Sequence, residues 1–505
     1  MSSPPRTLTL HPQDNIAIAL ADIAAGDACG EVTVQHPVAR GHKFAISAIV
    51  AGQNVLRYGQ IIGQATANIA VGDHVHVHNL GMGAHAQDYA HASEATPLET
   101  ADNTRTFDGY HRADGRVGTR NYLGILTSVN CSGSVAKFIA EAAEKSGLLD
   151  EFPNIDGIVP ISHGTGCGMS GANEGYDTLF RTLAGYAQHP NFGGLILIGL
   201  GCEVMQVAEL VGGRPIRADG ELRYMTIQAE GGTRKTIEKG LKQLRGIAKL
   251  ANNATRQPAP ISHLTVGMQC GGSDGYSGIT ANPALGVASD TLVRHGGTTI
   301  LSETSEIYGA EHLLTRRAAN VEVGKKLIDR VRWWEDYTAR NKGEMDNNPS
   351  PGNKRGGLTT ILEKSLGAVA KSGNAPLTDV YLFGEKIDKT GFVFMDSPGF
   401  DPCSVTGQIA SGANLIVFTT GRGSVSGYMP TPCIKVATNT EMYARMADDM
   451  DINCGDIITD GVSLQDKGAE MFETFIRVAS GAQTKSEELG FGGVEFVPWQ
   501  IGAVM

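Results

Sequence analysis

The chain has 505 residues, 41% of them apolar, more than a single ordinary core holds, so two or three domains are expected. Charged residues make up 19%, the formal net charge is -11, and no Lys/Arg run is present to neutralise a phosphate backbone, which excludes nucleic acid as an expected partner. Met1 to Leu10 has no apolar core of signal-peptide length and no run of about 18 apolar residues occurs, so a cytoplasmic protein without membrane contact is expected.

In chain order, residues 1–95 read as a small β domain, because the runs Ala17 to Ala21, Glu31 to Val34 and His74 to His78 are separated by Gly, Asp and Pro turn signals. The polar stretch Ala92 to Arg105 has neither period nor apolar content, which places a linker at 96–110. Beyond it the pattern changes. Tyr122 to Val129 is a continuous apolar strand, and Ser134 to Ser146 sets Val135, Phe138, Ile139 and Ala142 on one helical face. Further buried strands are expected at Gly157 to Ile161, Gly194 to Gly199, Leu264 to Met268, Thr298 to Leu301, Val380 to Phe383 and Leu415 to Thr419, with a helix at Ala319 to Tyr337. This alternation predicts an α/β fold class with mainly parallel sheets in two domains, 111–255 and 256–505, where ligands gather at strand ends. Arg340 to Gly357 is too polar and too rich in Pro and Gly for an element. It reads as a long loop, either an anion-binding lid carrying Lys354 and Arg355 or plain surface.

Four groups of residues carry possible chemistry. The run Asp73-His74-Val75-His76-Val77-His78-Asn79 puts three imidazoles on one face of an extended strand, about 7 Å apart, close enough to share a cation if the strand bends. Cys131, Cys167, Cys202 and Cys270 each follow a predicted strand beside Gly or a polar residue. Their thiolates suit an iron–sulfur cluster, and the adjoining carboxylates and imidazoles suit one hard divalent ion; the absence of a CxxC spacing favours the second. Glu203, Asp274, Glu303, Glu306 and Glu311 are acidic loop residues, of which Glu303 and Glu306 directly follow a strand as base or ligand. Arg422 lies between Gly421 and Gly423 after a strand, where its planar fork can meet a carboxylate. No GxxxxGK[ST] or GxGxxG pattern marks a nucleotide site.

In order, Arg40-Gly41-His42-Lys43, Tyr58-Gly59, the His74 to Asn79 run, Asp114 to Asn121 (DGRVGTRN) and Gly199 to Glu203 (GLGCE) resemble the altronate and galactarate dehydratase family. Cys270 to Asp274 (CGGSD), Gly278 to Pro283 (GITANP), Asn348 to Lys354 (NPSPGNK) and Gly421-Arg422-Gly423 extend the resemblance over nearly the whole chain. It implies an N-terminal β-clip domain of the SAF type and dehydration of an aldonic or aldaric acid to the 2-keto-3-deoxy acid, with Fe2+ (or Mn2+). In that reading His74, His76, His78, Cys202 and Glu203 are expected around the metal, and Asn79, Asp274, Lys354 and Arg422 around the substrate. Lys43 or Arg422 supplies a countercharge, His42 or a clustered histidine the acid, and Glu303 or His163 the base. The stretch Gly423 to Gly427 (GSVSG) departs from the family pattern, and the histidine run leans to altronate members while Thr127 to Cys131 leans to galactarate members. The alternatives are sulfite release from sulfolactate and non-catalytic binding of a sugar acid. A homo-oligomer, with the dimer as commonest form, is expected.

Overall fold

The computed structural model describes residues 6–83, 87–101, 105–212 and 221–502. The N-terminal part is built from short strands. β1 (Thr7–Leu8), β2 (Ile16–Ala19), β3 (Lys43–Ala45) and β4 (His74–Val75) pair antiparallel in that order. A second sheet joins Asn54–Arg57, Gln60–Ala65 and Leu80–Gly81. Glycines at positive φ, such as Gly72 between Ala70 and β4, allow turns too tight for a Cβ: one built at Gly72 lies 2.1 Å from the Thr33 carbonyl oxygen.

The expected linker is partly structured. Ala92 N–H donates to the Thr315 carbonyl (2.9 Å) and Glu94 N–H to that of Arg316 (2.7 Å), which lays the segment along the C-terminal domain. Its end, Thr106–His111, is a strand paired with Gln257–Pro260, where Phe107 and Ala259 are buried. Residues 102–104 of the stretch lie outside the described residues.

The middle domain is a four-stranded parallel sheet, β5 (Tyr122–Thr127), β6 (Gly157–Ile161), β7 (Phe192–Gly199) and β8 (Glu221–Thr226), in the order β6-β5-β7-β8. Helices α1 (Gly133–Lys145), α2 (Glu174–Ala187) and α3 (Thr233–Ala251) cover it, with Val135, Ile139, Leu244 and Ile247 buried against Leu123, Ile125 and Ile196.

The C-terminal domain holds a seven-stranded parallel sheet. Its strands are β9 (Thr265–Cys270), β10 (Thr298–Ser302), β11 (Leu377–Tyr381), β12 (Gly391–Met395), β13 (Leu415–Thr420), β14 (Cys433–Ala437) and β15 (Ile452–Asn453), ordered β11-β12-β10-β9-β13-β14-β15. The chain builds outward from β9 through β10, then returns to the other side of β9 with β13. That reversal opens a crevice at the carboxyl ends of β9 and β13. β12, β14 and β15 were not expected from the sequence, and β11 starts three residues earlier than expected. Its Asp379 is met by Lys326 (2.7 Å) and Lys389 (2.6 Å), so a carboxylate interrupts the apolar run that marks a strand.

Helices of this domain used below are α4 (Ala281–Arg294), α5 (Val321–Arg340), α6 (Pro351–Arg355), α7 (Ile361–Val369) and α8 (Asp401–Ser411). Helix α6 falls within Arg340 to Gly357, which the composition assigned to a loop. Pro351 at the first helical position and a reciprocal Ser350–Asn353 cap supply the start signal that composition hides: Asn353 N–H donates to Ser350 Oγ, and Ser350 N–H to Asn353 Oδ1 (2.9 Å). Among the described residues no helix is long and apolar enough to cross a membrane.

Candidate active site

At the carboxyl ends of β9 and β10 lies a cavity of about 440 Å³, within the range of small-molecule sites. Cys270, Gly271 and Gly272 line it from the end of β9, Ser305 and Glu306 from the turn after β10, and Asp401 from the start of α8. Lys364 of α7 and the residues Glu344, Asn348, Ser350 and Asn353 complete the wall. The segment read as a loop or lid is thus one side of the cavity, fixed by its own short helix and by Asn353 Nδ2 donating to the Ser273 carbonyl (2.8 Å).

The cavity wall is a network of opposite charges. Lys364 Nζ donates to Glu306 Oε1 (2.6 Å) and Asn348 Oδ1 (2.7 Å), and Asn348 Nδ2 donates to the same Glu306 oxygen (2.7 Å). Glu306 Oε2 is buried and has no partner. Asp401 is pushed up to about 6, first by desolvation and then by the negative charge of Glu306. That carboxyl faces the cavity and exchanges its proton near neutral pH.

Glu303 sits behind this wall, 1% exposed, at the end of β10 with φ +73°, a left-handed conformation rare for a residue with a Cβ. Its N–H donates to Ser397 Oγ (3.0 Å), while both carboxylate oxygens are buried without a partner. Burial, then the charges of Glu306 and Asp401, push its proton affinity well above the usual carboxylate range. It is not among the residues that line the cavity.

Gly271 is required by this packing, since a Cβ there lies 2.5 Å from Asp401 Oδ2 and from Phe418 Cζ. Gly271→Ala is expected to displace Asp401 and lower kcat/KM about 10²-fold, the cost of misplacing a reacting group by about 1 Å. Steady-state kinetics on the variant, with its circular dichroism unchanged, check this.

The other residues singled out from the sequence fall in several places. Arg422 is not among the residues that line the cavity: its N–H donates to the Gly272 carbonyl (2.8 Å) and its side chain is exposed. Asp274 ties the β9 turn to the end of β14, accepting from Thr438 Oγ1 (3.0 Å), Asn439 Nδ2 (3.1 Å) and the N–H groups of Tyr276 and Ser277. Lys43 is fully buried between domains, donating to Glu363 Oε2 (2.8 Å) and the Gly357 carbonyl (2.9 Å), and Arg57 reaches the other oxygen of Glu363 (2.6 Å).

The histidine run does not continue as a strand. After Val75 it turns, because Asn79 Oδ1 accepts from His76 N–H (3.0 Å) and Asn79 Nδ2 donates to the His74 carbonyl (3.0 Å), replacing ladder bonds by local ones. Asn79 therefore shapes the turn. The turn gathers the rings: His74 lies 5.5 Å from His76 and 5.6 Å from His78, and His42 lies 5.2 and 5.0 Å from His74 and His76, between ring centroids. The carbonyls of Lys354 and Arg355 receive His76 Nε2 (2.9 Å) and His42 Nε2 (3.2 Å), so the imidazoles abut α6 on the N-terminal-domain side.

Middle-domain residues stand apart from that cavity's lining. His163 has both nitrogens engaged, Nε2 with the Thr127 carbonyl (3.1 Å) and Nδ1 with Thr165 N–H (3.3 Å), and burial pushes it down to about 4. It borders a separate cavity with Asn130, Lys137 and Phe496. Glu203 pins its own turn, accepting from Ser128 Oγ (2.7 Å) and Gly201 N–H (2.6 Å), and the exposed Cys202 accepts from Gln228 Nε2 (3.4 Å). Cys131, Cys167 and Cys202 are exposed at the ends of β5, β6 and β7, whereas Cys270 is buried in the other sheet against Ser273 Oγ (2.7 Å). The four thiols proposed for a cluster are thus divided between two sheets. Among the described residues no three His, Cys, Asp or Glu side chains surround one point closely enough to hold a metal. The donor chemistry that suits Fe2+ or Mn2+ is nonetheless present as unprotonated imidazole in the histidine group, where burial pushes His74 down to about 3 and His76 to about 4.

Asp401, Lys364 and Asn348 were not singled out as site residues from the sequence. Asp401 belongs to no spacing pattern; its one local signal is Ser397-Pro398-Gly399 followed by a helix start after β12.

Three family models match consecutive parts of the chain: the altronate/galactarate dehydratase SAF domain over residues 5–83, the second domain of D-galactarate dehydratase/altronate hydrolase over 109–252, and the C-terminal domain of D-galactarate/altronate dehydratase over 261–504. Altronate dehydratase of Bacillus subtilis (strain 168) is 35% identical over 490 residues, covering 96% of this chain and 97% of that protein. Galactarate dehydratase (L-threo-forming) of Escherichia coli (strain K12) is 38% identical, over 96% of this chain and 94% of that one. The beta subunit of (2R)-sulfolactate sulfo-lyase of Chromohalobacter salexigens is 34% identical, over 76% of this chain and 95% of its own length. The chain belongs to the altronate/galactarate dehydratase family.

Proposed function

We propose that the chain is a hydro-lyase that removes water from a six-carbon sugar acid of the altronate or galactarate type, giving the 2-keto-3-deoxy acid. One observation supports it above the others: a cavity-facing carboxyl, Asp401, poised at about 6 beside the cationic Lys364. Abstracting a proton next to a carboxylate builds a dianion, so the base must be free of its proton near neutral pH and a cation must face the growing charge. Asp401 takes the C2 proton and returns it to the departing C3 hydroxyl, which leaves as water, and the enol formed tautomerises to the keto acid. Lys364, held by Glu306 and Asn348, orients the substrate carboxylate. A divalent ion such as Fe2+ or Mn2+, when bound, supplies further neutralisation of the carboxylate. The free, exposed thiols of Cys131, Cys167 and Cys202 support a cytoplasmic setting, and a homodimer is the assembly we favour.

The test is an anaerobic incubation of the whole protein with Fe2+ and a panel of altronate, galactarate, other sugar acids and sulfolactate, followed by thiobarbiturate detection of 2-keto-3-deoxy acid and by a sulfite assay. Keto-deoxy acid from altronate or galactarate is expected. Sulfite as the only product assigns the chain to the sulfolactate reaction instead, and binding without any product assigns it to a carrier.

A further inference from the structure

The chain has three tryptophans, and all three stand together beside the cavity. Trp334 of α5 lines it, 7% exposed, and Trp499 lies flat against Trp334, with ring centroids 5.3 Å apart and planes 3° apart. Trp333 and Phe383 meet Trp499 edge-on, at 5.6 and 5.7 Å. Trp499 comes from segment 495–501, which is bound to three helices. Val497 N–H donates to Thr406 Oγ1 of α8 (3.0 Å), Phe496 packs edge-on against Tyr186 of α2 (4.6 Å), and a Cβ at Gly175, in the first turn of α2, would strike the Ile501 carbonyl. The segment thus ties α2 of the middle domain to α8, which begins at Asp401, and to α5, which carries Trp334 and Thr338 into the cavity wall.

We propose that Trp499 is a positioning residue of the catalytic cavity, acting through Trp334, and that segment 495–501 is the strap that holds the cavity to its working width. The single N–H of Trp334 donates to Asp396 Oδ1 (2.8 Å), just past the end of β12. The same oxygen accepts from Thr304 Oγ1 (2.5 Å), and Arg330 of α5 reaches the other oxygen (3.3 Å). Thr304 opens the short turn whose next residues, Ser305 and Glu306, line the cavity. A displacement of Trp334 is therefore passed through two hydrogen bonds to the turn that carries Glu306, the partner of Lys364. Trp499 blocks that displacement. Interiors are close-packed, and removing an indole that is 9% exposed leaves room into which its stacked neighbour turns. Trp499 is not itself among the lining residues, so it acts by holding Trp334 and not by touching substrate. The effect on turnover rests on the hydro-lyase reading; the effect on the shape of the wall does not.

The experiment alkylates the whole protein with iodoacetamide and follows each cysteine by mass spectrometry. Cys270 is buried and lines the cavity, whereas Cys202 is exposed in the middle domain and Cys454 is buried away from the lining. In Trp499→Ala, Cys270 is expected to react about tenfold faster than in the wild type, with Cys202 and Cys454 unchanged. Kinetics on the sugar acid that is turned over give the second reading: KM is expected to rise about tenfold with a smaller fall in kcat, and Trp499→Phe, which keeps a stacked ring, to recover most of the loss. An unchanged Cys270 overturns the proposal, as does a parallel rise at Cys454, which marks general loosening of the fold, and as does a KM equal to that of the wild type. If no sugar acid is turned over, the hydro-lyase reading fails and the Cys270 rate alone decides the strap. If Trp499→Ala does not fold, Trp499→Leu, which keeps apolar bulk without an aromatic face, carries the same tests.

Discussion

Asp401→Asn is expected to lower kcat about 10²- to 10⁴-fold, the usual contribution of a positioned general base, in a protein that still folds. In the wild type, kcat/KM should rise with pH through about 6 and then level, as Asp401 loses its proton. In the variant that limb should be absent. Stability runs the opposite way. The folded carboxyl keeps its proton to about 6, while the unfolded one releases it near 3.8, so between these values the folded state binds more protons and stability falls as pH rises. Asparagine has no such loss, and the variant should melt no lower than the wild type above pH 6, with the advantage fading below 3.8. Glu303→Gln is the contrast. Its carboxyl is not part of the cavity lining, so turnover should fall far less. If Asp401→Asn turns over at the wild-type rate while Glu303→Gln is dead, the base has been misassigned.

The second large effect is on stability. Glu363→Ala is expected to cost about 3–5 kcal/mol, because it leaves Lys43 and Arg57 buried with no countercharge. Burial alone raises the affinity of Glu363 for a proton, but the two cations outweigh it and bring the group to about 2. With the folded value below the unfolded one of 4.5, this stabilisation is complete above pH 4.5 and is lost as pH falls towards 2. Urea unfolding of both proteins from pH 7 to pH 3 tests it. Equal midpoints at pH 7 reject the claim that this ion triad holds the domains together.

Much of the fold was legible because its strands are buried on both faces and so appear as unbroken apolar runs: Gly157 to Ile161 matches β6, and Thr298 to Leu301 matches all but the last residue of β10. Elements whose local signal is polar were hidden. Helix α6 depends on a cap between Ser350 and Asn353 inside a Pro- and Gly-rich stretch, and β11 carries a buried aspartate. The candidate site was half legible. Glu306, Arg422 and the 340–357 segment carry signals of position and composition. Asp401 does not, because its raised proton affinity comes first from enclosure, by residues as distant in sequence as Gly271, and then from the charge of Glu306. The histidine run shows its pattern in the sequence but not where it bends: an asparagine at its end prefers a turn to a ladder, and that turn, together with His42 from β3's edge, makes the group compact.

Helix α7 carries two charges side by side. Glu363 faces the N-terminal domain's cations and its immediate neighbour Lys364 faces Glu306 in the cavity wall, so a shift of one is felt by the other across a single peptide unit. Separating the small domain would strand an anion at the seam and, through that same backbone, disturb the ammonium group in the cavity wall. The leading eighty residues thus help to set the shape of a cavity they do not line.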